Sequence, residues 1–414
     1  MKSVEIMSPV GSYEALQAAM QGGADSVYFG VGKLNMRSKS ANNFDLSDLV
    51  NIASFCNEHG IKSYLTVNTV IYNSEIDEMH TLVRTAKESG VSAIIASDMA
   101  VINYANSIGM EVHISTQCNI SNYEAVKYYS RFADVMVTAR ELSLAQVAEI
   151  TDYIAKNDIR GPKGELVEIE VFAHGALCMA VSGKCYLSLD NYNHSANRGE
   201  CLQLCRRQYK VSDLESDIEL VVDNKYIMSP KDLCTLPFVD KLLKAGVRVL
   251  KIEGRGRSAE YVKTVTRCYK EAVQSVQDGT YSQEKIAGWM NELKTVYNRG
   301  FWDGYYLGRT MGEWTERYGS QATQTKVYVG KITNYFANIN VAEIKMESGD
   351  IELGDKVMIL GPTTGVYEDT LSEIRVDLKP VQRADKGEMC SIPTSELVRR
   401  GDKVYKVVTV IDEF

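Results

Sequence analysis

Histidine is scarce in this 414-residue chain, with five in all. A serine or cysteine nucleophile therefore has few side chains available to take its proton. The zinc-protease pattern His-Glu-x-x-His and the hydrolase turn Gly-x-Ser-x-Gly are both missing, so no credible protease machinery is legible. No apolar run is long enough to span a membrane. The opening residues, Met1-Lys-Ser-Val-Glu-Ile-Met-Ser-Pro9, carry no apolar signal-peptide core. The expected location is the cytoplasm, with no membrane partner. Thiols stay reduced there, so the nine cysteines read as packing residues, metal ligands or redox groups and not as disulfides. An excess of basic charge is lacking too. The net charge of −8 argues against a general nucleic-acid coat protein, while leaving room for RNA at a local basic patch.

What is present is a rhythm of short apolar strands and amphipathic helices from the start to about residue 280. The strand candidates are 4–7, 26–30, 63–68, 93–97, 111–116, 135–139, 167–173 and 247–254. Most are rich in Val and Ile, as strands buried on both faces must be. Helical patterns fill the gaps and several end in Gly, as at Gly90 and Gly246. Eight parallel strands so connected predict an α/β fold, a (β/α)8 TIM-like barrel, with a doubly wound open sheet as the alternative. The barrel is expected over residues 1–280, with a cysteine-rich insertion at 175–240. A helical and aromatic connector follows at 281–325. From 326 to 414 the pattern alternates, and Gly-Asp-Lys-Val recurs at 354–357 and 401–404, which predicts a small antiparallel β-barrel.

In such a barrel the chemistry gathers where the strands end. Four cysteines, Cys178, Cys185, Cys201 and Cys205, fall just beyond the seventh strand. Thiolates are soft ligands that suit an iron–sulfur cluster or, alternatively, zinc. Cys234 is an alternative fourth ligand. His113 and His174 lie on the fifth strand and at the end of the seventh, where each is a candidate ligand, proton carrier or donor. Lys251, Glu253, Arg255 and Arg257 cluster at the end of the eighth strand. Together with Arg37 and Arg140 they make candidate binders of a phosphate or a small dicarboxylate. Arg206 and Arg207, beside Tyr209 and Lys210, have the cation-plus-aromatic make-up of single-stranded RNA contacts.

The runs Glu170-Val-Phe-Ala-His-Gly-Ala-Leu-Cys178, Ser182-Gly-Lys-Cys-Tyr-Leu-Ser188, Asn197-Arg-Gly-Glu-Cys201 and Lys251-Ile-Glu-Gly-Arg255 resemble the signature of the collagenase-like peptidases of unknown catalytic type. Nearly the whole chain shares the likeness. That family includes oxygen-independent hydroxylases: of the transfer-RNA wobble uridine with prephenate, of a ribosomal-RNA cytidine, and of ubiquinone precursors. The resemblance implies a [4Fe–4S] cluster on Cys178, Cys185 and Cys201, with Cys205 and Cys234 in competition for the fourth place. Chain length and the C-terminal unit point to the transfer-RNA branch. The implied activity is hydroxylation of the wobble uridine to 5-hydroxyuridine, with the tRNA anticodon region as partner. Lys251, Arg255 or Arg140 would then neutralise prephenate, and His113, His174, Glu170 and Glu253 are candidates for proton transfer or orientation. A collagenase-like peptidase and a non-enzymatic, metal-stabilised partner protein are the alternatives. A homo-oligomer is compatible with each.

Overall fold

The structure, a computed structural model, describes residues 3–209, 228–309, 312–317 and 319–410. Strands and helices alternate from the start: β1 (Glu5–Pro9), α1 (Tyr13–Gln21), β2 (Ser26–Gly30), α2 (Asp48–Glu58), β3 (Lys62–Val67), α3 (Ile76–Glu88), β4 (Ala93–Ala96) and α4 (Met99–Ser107). Next come β5 (Val112–Ile114), α5 (Tyr123–Tyr129), β6 (Val135–Val137), α6 (Leu144–Lys156) and β7 (Glu168–Ala176). The helices form for local reasons. In α3 the buried Met79, Leu82, Val83 and Ala86 recur at helical spacing and cover the strands. Side chains of Ser12, Asn122, Ser143 and Ser282 accept backbone N–H bonds at helix starts. Gly246 ends the helix before the last barrel strand at φ +83, a conformation costly for any residue with a Cβ.

Beyond β7 lie α7 (Leu187–Tyr192), β8 (Asp232–Cys234), α8 (Val239–Lys244) and β9 (Val249–Ile252), then α9 (Ala259–Gln277), α10 (Gln283–Thr295) and β10 (Phe301–Trp302). Strands β1 to β7 pair in order and in parallel. β9 pairs in parallel with both β7 and β1, closing an eight-stranded barrel. The open-sheet alternative is thereby overturned. β8 is the strand that the sequence pattern missed. It runs antiparallel to the end of β7, and β10 adds to its other edge.

The insertion is clamped to the barrel mouth. Lys39 N–H and Ser38 Oγ both donate to the carbonyl of Gly199, and a Cβ at Gly199 would stand 2.1 Å from the carbonyl oxygen of Asn35. Arg198 grips both carboxylate oxygens of Glu75. Residues 324–409 form an eight-stranded antiparallel sheet with its own core, including Val329, Ile344, Ile359 and Val404. The repeated Gly-Asp-Lys-Val units build the same turn twice: Asp355 accepts from the Glu352 N–H at 2.7 Å and Asp402 from the Arg399 N–H at 2.8 Å. This unit docks on α1, where Gln21 bonds Thr364 and Val366 at 3.0 Å each. Among the described residues no helix is long and apolar enough to cross a membrane.

Candidate active site at the barrel mouth

Along β9 the side chains alternate, so Lys251 turns inward while Ile252 joins the outer core. Glu253, Arg255 and Arg257 continue from its C-terminal end. Loops after other strands bring Arg37 and Arg140, and the insertion brings the four cysteines and Arg206. They enclose a cavity of about 230 Å³. Seven cationic side chains line it against one carboxylate, Glu253. The seventh cation, Arg299, comes from the aromatic connector and was not among the expected site residues. It stands alone in its segment, with no strand or helix pattern to mark it. Asp232, on the missed β8, lies beneath Arg257 and Arg299.

The cations differ in what holds them. Arg37 meets Glu253 at 2.6 Å, and Lys251 meets the wholly buried Glu170 at 2.7 Å. Burial alone would raise the Glu253 carboxyl, but Arg37, Arg257 and Arg140 outweigh it and hold it down at about 2. Arg255 donates to Thr66 Oγ1 at 2.9 Å, and burial lowers its guanidinium to about 10. Arg140 stacks on the Phe172 ring at 3.8 Å and donates to the carbonyl of Ala176 at 3.3 Å, while its buried Nε has no partner. Among the described residues neither Arg140 nor Arg255 has a carboxylate at ion-pair distance. Two cations facing one cavity, neither paired with a carboxylate, suit the binding of an anion.

Several expected residues do not reach it. His113 is buried inside the barrel but near its opposite end. It packs on Tyr64, and its Nε2 lies 3.2 Å from Glu111, at the start of β5. His174 is turned outward by a bulge in β7: the pairing register slips between Phe172 and His174, so His174 stands opposite Ile252. It packs among Tyr261, Tyr269 and Phe301, and burial, with the Arg257 charge, lowers it to about 3. Neither histidine is placed to move a substrate proton. Glu170 meets the cavity only through Lys251. Cys234 is withdrawn as a ligand, since its buried thiol contacts Met290 and Tyr269 and does not line the cavity. Arg207 points to the insertion surface, against Tyr192, and Lys210 lies outside the described residues.

Cys178, Cys185, Cys201 and Cys205 all line the cavity as free thiols. Burial raises the Cys205 thiol to about 11, opposed by Arg206 and reinforced by the other three cysteines. Arg140 feels the charge of Cys178, and Arg37 that of Cys201. Among the described residues no three His, Cys, Asp or Glu side chains are gathered around a point that would hold a single ion. The four candidate donors are all soft sulfurs beside guanidinium charge, a ligand chemistry that iron–sulfur clusters take and that zinc takes as well.

Fold and site together define a (β/α)8-barrel protein with a thiol- and arginine-lined mouth. The model of peptidase family U32 matches residues 11–316, and the chain belongs to that family. It is 59% identical to a protein of Porphyromonas gingivalis named "Collagenase", over 97% of each chain. It is 29% identical to "tRNA hydroxylation protein P1" of Bacillus subtilis, over 90% of this chain and 87% of that one. It is also 29% identical to "23S rRNA 5-hydroxycytidine C2501 synthase" of Escherichia coli, over 98% of this chain and 56% of that one.

Proposed function

We propose that this chain hydroxylates the wobble uridine of tRNA to 5-hydroxyuridine without molecular oxygen, using an iron–sulfur cluster and a small dicarboxylate, prephenate, as co-substrate. The observation that carries this reading is Arg140, half-buried, and Arg255, buried, neither with a carboxylate at ion-pair distance, in the same cavity as four thiols. Relatives named for tRNA and rRNA hydroxylation support the reaction class. Cys178, Cys185, Cys201 and Cys205 would hold the cluster, which when bound supplies electron transfer or polarises an oxygen atom. Arg140 and Arg255 take the carboxylates of the co-substrate by charge-assisted hydrogen bonds. Glu253, kept ionised, fixes Arg37 and stays an acceptor. Lys251 is held by Glu170 and presents its ammonium to the same anion. A target base must leave its stack to enter, which an anticodon loop permits at low cost.

The name of the 59% identical relative favours a second reading, a peptidase. The cavity does not furnish its parts. None of the residues lining it is a histidine, and Glu253 is occupied by Arg37. The test is mass spectrometry of tRNA nucleosides from a strain lacking this gene. Loss of 5-hydroxyuridine derivatives, restored by the wild-type gene and not by Cys201→Ala, is expected. Unaltered derivatives, with no paralogue compensating, would sink the hydroxylase. Cleavage of denatured collagen by the pure protein, lost in a cavity variant, would establish the peptidase.

A further inference from the structure

Six of the seven cations of the cavity fall into two groups, each near its own carboxylate, while Lys251 is held by Glu170. At the barrel end Arg37 pairs with Glu253, and Arg140 and Arg255 feel its charge without pairing with it. Arg206, Arg257 and Arg299 surround Asp232, which is 1% exposed on β8. Arg257 lies between the groups and feels both carboxylates.

The two anchors act differently. Arg37 is paired with Glu253 at 2.6 Å. Asp232 stands 3.4 Å from Arg299 and 4.0 Å from Arg257, longer than the usual 2.7–2.9 Å or so of a charge-assisted bond. It orients two guanidiniums while taking one long hydrogen bond from Arg299 Nη1 and none from Arg257. The Tyr297 ring fixes them further, 3.6 Å from Arg257 and 5.2 Å from Arg299. Arg206 spends its donors on Ser229, Pro230 and Leu177 and contributes charge. One carboxylate against three guanidiniums, Arg299 buried and Arg206 and Arg257 half-buried, leaves a positive surplus, with Arg257 and Arg299 in the cavity wall.

We propose that Arg257 and Arg299, oriented by Asp232 and Tyr297, form a second oxyanion subsite, and that its ligand is a phosphodiester of the RNA strand carrying the target base. The inference rests on the RNA-hydroxylase reading. A small acid already finds counter-charges at Arg140 and Arg255, whereas a flipped nucleotide carries its own phosphates to the mouth and needs one gripped. Arg299 belongs to the connector beyond the barrel helices, so RNA binding and small-acid binding are separable by mutation.

The test measures the two ligands apart, on anaerobically purified full-length protein. Oligouridylate binding is followed by fluorescence anisotropy across a salt series, and succinate binding by the rise in melting temperature. Arg299→Gln is expected to weaken oligouridylate about tenfold and to reduce the slope of log affinity against log salt by about 0.7, one phosphate's share on a single strand. Succinate protection should persist in Arg299→Gln and disappear in Arg140→Gln. Arg257→Gln, at the other guanidinium beside Tyr297, should repeat the RNA effect, and Arg299→Lys should recover part of it in a protein of unchanged melting temperature. Unchanged RNA affinity and slope would overturn the proposal. So would loss of succinate protection in Arg299→Gln, which would make the subsite part of the small-acid site. Wild-type protein that binds oligouridylate yet leaves tRNA unmodified in the cell would sink the hydroxylase and spare the subsite. Wild-type protein that does not bind oligouridylate would sink the subsite itself.

Discussion

Glu170 and Lys251 meet at 2.7 Å inside the barrel, 0% and 4% exposed, and the second carboxylate oxygen of Glu170 has no hydrogen-bond partner. A buried pair of this kind gains little net stability over an apolar pair, because both ions were taken out of water. Breaking it is another matter. Glu170→Ala strands the Lys251 ammonium and should cost about 3–5 kcal/mol, read from urea denaturation. The double variant Glu170→Leu with Lys251→Met should recover most of that loss. A double variant no more stable than Glu170→Ala would show that the pair has a structural role beyond compensating charge.

Arg140 presents the opposite case. It is half-buried, its guanidinium lies over Phe172 with no carboxylate at ion-pair distance, and desolvation lowers its pKa. Such a group costs stability and is tolerated where an anion is to be bound. Arg140→Leu should therefore leave the melting temperature unchanged or raise it by a few degrees, while hydroxylation of tRNA falls at least a hundredfold. Denaturation scanning and nucleoside mass spectrometry read the two effects. A clear drop in melting temperature with activity retained would reverse the assignment.

The barrel was legible because its strands are apolar on both faces and its helices carry one apolar stripe. The charged cluster after the last strand was legible for the same reason: once Val249 to Ile252 is a barrel strand, Glu253, Arg255 and Arg257 must lie at the mouth. Other features depend on facts that no local pattern carries. Strict alternation from Glu170 through Phe172 would point His174 inward, and only the bulge opposite Ile252 turns it out. His113 does face inward, but depth along the barrel is set by strand register and not by composition. Cys234 differs from Cys205 by sitting in a three-residue strand too short to announce itself. Arg299 and Asp232 come together from segments far apart in the chain, so their site existed only after folding.

His174 gives a pH prediction with a definite sign. Its folded pKa, about 3, lies below the 6.5 of a free imidazole because the ring is buried among Tyr261, Tyr269 and Phe301 with Arg257 nearby. The unfolded chain therefore binds a proton below pH 6.5 that the folded chain refuses. Stability tied to this group is complete above that value and drains away as pH falls from 6.5 toward 3. Between pH 7 and pH 5 the loss is about 2 kcal/mol. His174→Phe keeps an aromatic ring and removes the titration. Its stability, whatever its absolute level, should fall by about 2 kcal/mol less over that interval than the wild type's. Parallel stability profiles for the two proteins would show that His174 charges freely in the folded state.

The cysteines make the sharpest contrast, since five of them lie at or near the mouth and only four line the cavity. Serine at Cys178, Cys185, Cys201 or Cys205 replaces a soft thiolate ligand with a hard hydroxyl, and a cluster short of one ligand is exposed to loss. Each of these four variants, purified anaerobically, should lose most of its iron and its broad visible absorption. Cys234 is packed against Met290 and Tyr269 and, unlike the other four, does not line the cavity. Cys234→Ser should keep full iron content and lose about 1–2 kcal/mol of stability from the buried hydroxyl. Iron lost from Cys234→Ser and retained in Cys205→Ser would exchange the fourth ligand. Equimolar zinc with no visible absorption in the wild type would remove the redox chemistry and leave the four thiols a structural role.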